Sequence, residues 1–219
     1  MRVLLSALFV GAAVCACVLP ASPQEAASLP FAWPGSIVLP LPGVPVSFDE
    51  SEISQSGVEV HRKVYRDGSG RLRIDPFGDP SLRMVQLIDP NAGVLAILGT
   101  QSRIAHTLSF PRIVSPAKPG FFSLGPAVGH STAAEEKLGK QTIDGVEYRG
   151  TRTTFRASEA KDTDLVEERW ISQDLGIIGL ITSRSATGQR SARVRNLVHG
   201  EPDPNLFIVP KDYRIVPLA

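Results

Sequence analysis

The stretch Val58-Glu59-Val60-His61-Arg62-Lys63-Val64-Tyr65-Arg66, followed by Asp67-Gly68-Ser69-Gly70 and then Arg71-Leu72-Arg73-Ile74-Asp75, decides the fold. A two-residue period places Val58, Val60 and Val64 on one face of an extended segment. The glycines supply the reversal because they take positive φ without steric cost, and the next run alternates again. The pattern is a β-hairpin, and it repeats in both directions along the chain. Leu82 to Asp89 reads as a further strand, then the turn Asp89-Pro90-Asn91-Ala92-Gly93, then Val94 to Leu98. After Gly99-Thr100-Gln101 comes Arg103 to Phe110.

The second half has the same style. Gln141-Thr142-Ile143 meets Val146 to Phe155 across Asp144-Gly145, and Leu165 to Ser172, Ile177 to Arg184 and Arg190 to His199 follow. In the last of these Ala192, Val194 and Val198 are predicted inward and Arg193 and Arg195 outward. No intervening stretch is long and periodic enough for a crossover helix, so the sheet is predicted antiparallel. One helix is expected, Thr132 to Leu138, with Ser131 as its N-cap and Gly139 as its stop.

Composition agrees. The 219 residues fit one domain, or one domain with a tail. With 42% hydrophobic and 21% charged residues the chain is ordinarily globular. Its 18 prolines and 19 glycines, against 6% aromatics, favour short strands and turns. A formal charge of +1 gives no basic footprint, so nucleic acid is not an expected partner.

The first residues read as a leader. Met1-Arg2, an apolar run from Val3 to Leu19 and the small-residue exit Pro20-Ala21-Ser22-Pro23 match a secretory signal peptide, and a membrane anchor is the competing reading. Export is therefore expected. Both cysteines, Cys15 and Cys17, lie in this run, so a chain cleaved near Ala21 or later holds itself together by its core alone. Val14-Cys15-Ala16-Cys17 also resembles a lipobox, which makes Cys17 a candidate for acylation. Pro30, Pro34, Pro40, Pro42 and Pro45 then punctuate an apolar arm that neither continues a helix nor sits inside a ladder. The expected organisation is a signal over 1–24, an arm or linker over 25–57 and a folded domain over 58–219.

Two segments, Val94 to Leu98 and Ile177 to Ile181, are apolar on both faces. Either each is a central strand covered on both sides, or the sheet curves around an apolar cavity that accepts a ligand. On the second reading Leu95, Ile97, Ile178 and Leu180 are candidates for its lining.

Signals for catalysis are sparse. Gly129-His130-Ser131-Thr132-Ala133 partly matches a Gly-x-Ser-x-Gly elbow, but Ala133 replaces the last glycine and no parallel sheet supports it. Ser131 is thus a remote nucleophile candidate and a better helix cap. Glu167 and Glu168 are strand neighbours that point to opposite faces, so they are no acid/base couple. His61, His106, His130 and His199 stand far apart, with no pair at metal-ligand spacing, and no phosphate-binding glycine motif occurs. No catalytic residue, metal or cofactor is expected.

The closing run Gly200-Glu201-Pro202-Asp203-Pro204-Asn205-Leu206-Phe207-Ile208-Val209-Pro210-Lys211-Asp212-Tyr213 resembles the C-terminal signature of exported bacterial proteins related to the periplasmic lipoprotein carriers. Tyr65 to Arg71, Ile88 to Gly93, Leu138 to Val146, Gly150 to Thr154 and Glu168 to Ser172 are similar, in order, to segments of uncharacterised exported proteins with such a domain. The resemblance implies a mainly β, α+β fold: a strongly curved antiparallel meander, an unclosed half-barrel with a short helix or loops over its concave face. It also implies an apolar groove for a lipid or lipidated partner, or alternatively a protein–protein module such as an envelope sensor that uses the arm or an open sheet edge. The chain departs from true carriers in its low helical content and in having the proline arm where they place an N-terminal helix. None of their gating residues maps onto it by motif.

Overall fold

The computed structural model describes residues 44–77, 84–110, 112, 130–157, 164–186 and 188–218. The signal-like segment 1–24, Cys17 and the arm up to Gly43 lie outside them, as do Leu82 and Arg83.

The described residues form one open sheet of twelve strands. These are β1 (Val46–Ile53), β2 (Glu59–Arg66), β3 (Leu72–Phe77), β4 (Met84–Asp89), β5 (Val94–Gly99), β6 (Ile104–Ser109), β7 (His130–Ile143), β8 (Val146–Ala157), β9 (Leu165–Ser172), β10 (Ile177–Ser185), β11 (Gly188–His199) and β12 (Arg214–Pro217). The spatial order is β12-β6-β5-β4-β3-β2-β1-β11-β10-β9-β8-β7. Two meanders are thus joined where β1 pairs with β11, and β7 and β12 are free edges. The sheet does not close, and the architecture is the half-barrel that the sequence implies.

Turn chemistry explains the hairpins. At Asp144-Gly145 both residues have positive φ, 50° and 79°, as a two-residue loop between twisted strands requires. In the β2–β3 turn Asp67, 2% exposed, does more than permit the reversal. Its carboxylate accepts from the Ser69 and Arg71 amides at 3.0 and 2.8 Å and from Arg71 Nε at 2.6 Å.

Four expectations need correction. The sheet starts at Val46, inside the stretch expected to be linker, and β1 is a central strand between β2 and β11. Its Val46, Phe48 and Glu50 are buried at alternate positions, but the acidic residues disguise the period. The expected helix over 132–138 is part of β7, paired antiparallel with β8 from His130↔Ala157 to Ile143↔Val146. Helix propensities differ by only a few tenths of a kcal/mol per residue among such residues, which a continuous ladder outweighs. Val198 points outward and is 58% exposed, because a register shift opposite Ser47/Asp49, with Asn196 at φ 52°, resets the alternation. Finally, β12 pairs with β6 in parallel, so the sheet is not wholly antiparallel.

The C-terminal segment explains the two-sided apolar strand β5. After β11 the chain passes through a single 3-10 turn, Pro204–Phe207, with Asp203 accepting from the Asn205 amide, and crosses to the β6 edge. Val209 and Tyr213 pack on Val85, Leu87, Ala96, Leu98 and Ala105, the outer-face residues of β4, β5 and β6. Arg73 Nη1 donates to the Leu206 carbonyl at 3.0 Å, and Arg71 stacks on Phe207 at 5.0 Å. This strap buries one face of β5, and Leu95 lies on the other.

Candidate functional site

The ladder registers define two faces. On one, Leu95, Ile88, Leu72, Arg66 and Val46 form a row across β5, β4, β3, β2 and β1. Arg66 shows that the sheet curls toward this face. Its guanidinium donates to the carbonyls of Leu175 and Gly176 in the β9–β10 turn and to that of Val44 at 2.8 Å. β1 and β11 intervene between β2 and β10, a flat separation of ~14 Å. The face that carries Arg66 is therefore concave. Burial holds the guanidinium down to about 10, which leaves it cationic at neutral pH.

The concave face has an apolar end and a charged belt. Beside Arg66 lie Val46, Phe48, Val64, Leu72 and Ile74, none more than 3% exposed. Two to five residues further along the strands the character changes. Arg62 Nη1 bridges Glu50 at 3.0 Å and Glu52 at 2.9 Å, and Arg190 Nε lies 3.7 Å from Glu52. Glu167 pairs with Arg169 and accepts from Ser183 Oγ at 3.2 Å. Glu50 is fully buried. Cross-strand neighbours bring these residues together: Glu50 opposes Arg62, and Ser183 opposes both Glu167 and Arg190.

The four lining candidates divide. Leu95 and Ile97 face the concavity from β5, opposite Leu108 and His106 of β6. Ile178 faces it from β10, opposite Ile171. Leu180 does not, because the register shifts between Ile178 and Leu180, and Leu180 opposes Trp170 and Arg193 on the outer face. The extra residue is Gly179, and the ring of Tyr148 occupies the space of its missing side chain. Ile97, Leu108, Ile171 and Ile178 are half-buried, so the two wings of the concave face each keep apolar surface open.

Other candidates are scattered. Ser131 stands opposite Arg156 in the β7–β8 ladder and not at a strand-to-helix turn. Glu168 bonds Arg152 on the outer face while Glu167 faces inward, as their adjacency requires. Trp170 is half-buried over Gly150. Among the described residues no three His, Cys, Asp or Glu gather to hold a metal. A cavity of about 270 Å³ opens beside the strap, between Arg71, Leu72, Leu87, Ile88, Phe207 and Val209. Arg71, its charged donor, is held by Asp67 and Phe207, so this space reads as a packing gap.

The belt is what the sequence did not single out. Its signal was Glu50 and Glu52 at a two-residue spacing, one hairpin away from Arg62, and it is visible only once Val46 to Ile53 is taken as a strand.

No protein-family model and no curated protein matches the sequence. Solved structures do match. The chain is similar to an uncharacterized conserved protein from Thermus thermophilus, with 10% identity over 82% of this chain and 93% of that one, at a TM-score of 0.52. It is also similar to the MucA/MucB complex structure from Pseudomonas aeruginosa, with 12% identity over 80% of this chain and 59% of that one, at 0.46. A LolA superfamily protein from Nitrosomonas europaea matches with 10% identity over 78% of this chain and 92% of that one, at 0.36. At 10% identity the likeness to the Thermus thermophilus protein is one of fold.

Proposed function

We propose that this is an exported, non-enzymatic envelope protein that holds an acyl chain of a lipid or lipidated partner against the concave face. The observation that carries this reading is the half-buried apolar pair on each wing, Ile97 with Leu108 and Ile171 with Ile178, flanking a buried apolar floor. An open curved sheet with apolar surface on both arms presents an elongated apolar trough, the shape an acyl chain fills. The leader-like N-terminus supports export. Protein docking by strand addition is less favoured. The free edge β7 carries two register shifts and the charges of Glu135, Glu136, Lys137 and Lys140, the devices by which edges resist pairing.

The bulge at Gly179 supplies a sharp test. Ile97→Gln and Ile178→Gln are each expected to weaken binding of a fluorescent acyl probe about tenfold, since each removes ~1–2 kcal/mol of apolar contact. Leu180→Gln is expected to leave it within about twofold, because the residue faces away. Equal losses at Ile178 and Leu180, with unchanged melting curves, would place the ligand elsewhere.

A further inference from the structure

We infer that the acyl ligand is an anionic phospholipid, whose phosphodiester seats over Thr151 between Lys137 and Arg149. This rests on the acyl-binding reading and names the ligand's polar end. Inward-facing neighbours in the ladders supply the observation. Thr151 of β8 stands opposite Lys137 of β7 and Arg169 of β9, and Arg149 lies two residues before it on the same face. Three basic residues thus surround one half-buried threonine. Arg149 in turn stands directly opposite Ile171, which pairs with Ile178, so the cations adjoin the open apolar surface of this wing.

The acids of the wing leave a positive excess. Glu167 is held by Arg169 and Ser183, while Glu147 is held by Lys140 at 2.9 Å and feels Arg149 at longer range. Glu135 is exposed and stands one step further along β7, opposite Thr153. Lys137, Lys140, Arg149 and Arg169 therefore face only Glu135, Glu147 and Glu167. Lys137 and Arg149 are both exposed, and neither forms an ion pair among the described residues. The belt around Arg62 has no such excess, since Arg62 and Arg190 meet Glu50 and Glu52.

An acyl chain on Ile171 and Ile178 brings its polar end to these cations. Lys137 and Arg149 are diagonal neighbours on adjacent strands, with Cα atoms ~8 Å apart, so an anion between them is met from two sides. A phosphodiester carries one negative charge and presents oxygens around a tetrahedral centre, which suits a guanidinium on one side and an ammonium on the other. A carboxylate is filled by a single bidentate guanidinium, because its two oxygens lie in one plane. The ester, amide or thioester that joins an acyl chain to a lipidated protein is uncharged and leaves the cations unmatched.

The test is displacement of a pyrene-labelled monoacylglycerol from the full chain by lysophosphatidylglycerol, lysophosphatidylcholine and a fatty acid of equal chain length. Lysophosphatidylglycerol is expected to displace the probe at a concentration about tenfold below each of the others. Arg149→Gln and Lys137→Gln are each expected to close most of that gap, and both positions are exposed, so melting curves should not move. Arg193→Gln removes an exposed arginine from the outer face and is expected to leave the order unchanged. Equal displacement by the two phospholipids, an order unmoved at Arg149 and Lys137, or one moved as far by Arg193→Gln would overturn the inference while leaving acyl binding in place. A fatty acid that displaces the probe below lysophosphatidylglycerol would overturn the phosphodiester assignment. Failure of the probe itself to bind would overturn the acyl-binding reading, and this one with it.

Discussion

Arg66→Met is expected to lower the thermal midpoint by ~10 °C, the consequence of losing ~3–5 kcal/mol in a domain of this size. Arg66 is 1% exposed and its donors serve three backbone carbonyls, those of Val44, Leu175 and Gly176. Methionine fills much of the volume but removes the donor from the buried Leu175 carbonyl and from the partly buried ones of Val44 and Gly176, at a cost of ~1–3 kcal/mol for each that water does not reach. Replacing a buried ion pair by apolar residues is often neutral, but that compensation is missing here, because the acceptors are backbone and remain after the substitution. Arg66→Lys should recover only part of the loss, since a point charge on a flexible stem does not reproduce a planar fork. A midpoint within ~2 °C of the parent for Arg66→Met would mean that this guanidinium does not hold the curl of the sheet.

The second large effect is expected at Gly179. A Cβ there would overlap the Tyr148 ring, and Tyr148 is 2% exposed. Gly179→Val is therefore expected to destabilise by ~3 kcal/mol, as overpacking of a closed core does, and to loosen the β9–β10 register. Burial also pushes the Tyr148 hydroxyl above its ordinary range. The variant has a second consequence. Without the bulge, strict alternation would put Ile178 and Leu180 on the same face, and acyl-probe binding should become sensitive to both. Thermal denaturation of Gly179→Val checks the first effect. A loss below ~1 kcal/mol would show that the Tyr148 ring moves aside.

How far the sequence reveals this molecule depends on which residues carry local information. Asp67-Gly68, Asp144-Gly145 and Asp174-Leu175-Gly176 announce their turns by chemistry that acts within four residues, and strands β2 to β6 and β8 to β11 fall where those turns and the alternation put them. β7 was hidden because Ala133-Ala134-Glu135-Glu136-Lys137-Leu138 is locally suited to a helix, and only the partner strand β8 decides otherwise. β1 was hidden because its inner positions include Glu50 and Glu52, whose burial is compensated by Arg62 across the ladder.

The candidate site was legible in the same uneven way. The two-sided apolar character of Val94 to Leu98 marks a strand covered on both faces, but the cover on one of them is the C-terminal strap, which no periodicity within β5 indicates. Alternation alone puts Leu95 and Ile97 on one face of β5, and it would put Ile178 and Leu180 together on one face of β10. The second inference fails, because one glycine against one buried tyrosine inserts an extra residue between them. Bulges are decided by such tertiary contacts, and a two-residue count along a single strand cannot register them.

The most direct test of the central claim is lipid analysis of the full chain expressed for export in a bacterium and purified without detergent. Denaturing extraction followed by mass spectrometry is expected to yield an acyl-chain molecule in near-stoichiometric amount. The same extraction from Ile97→Gln should yield markedly less of it. A clean blank from the folded parent protein would contradict acyl binding at the concave face.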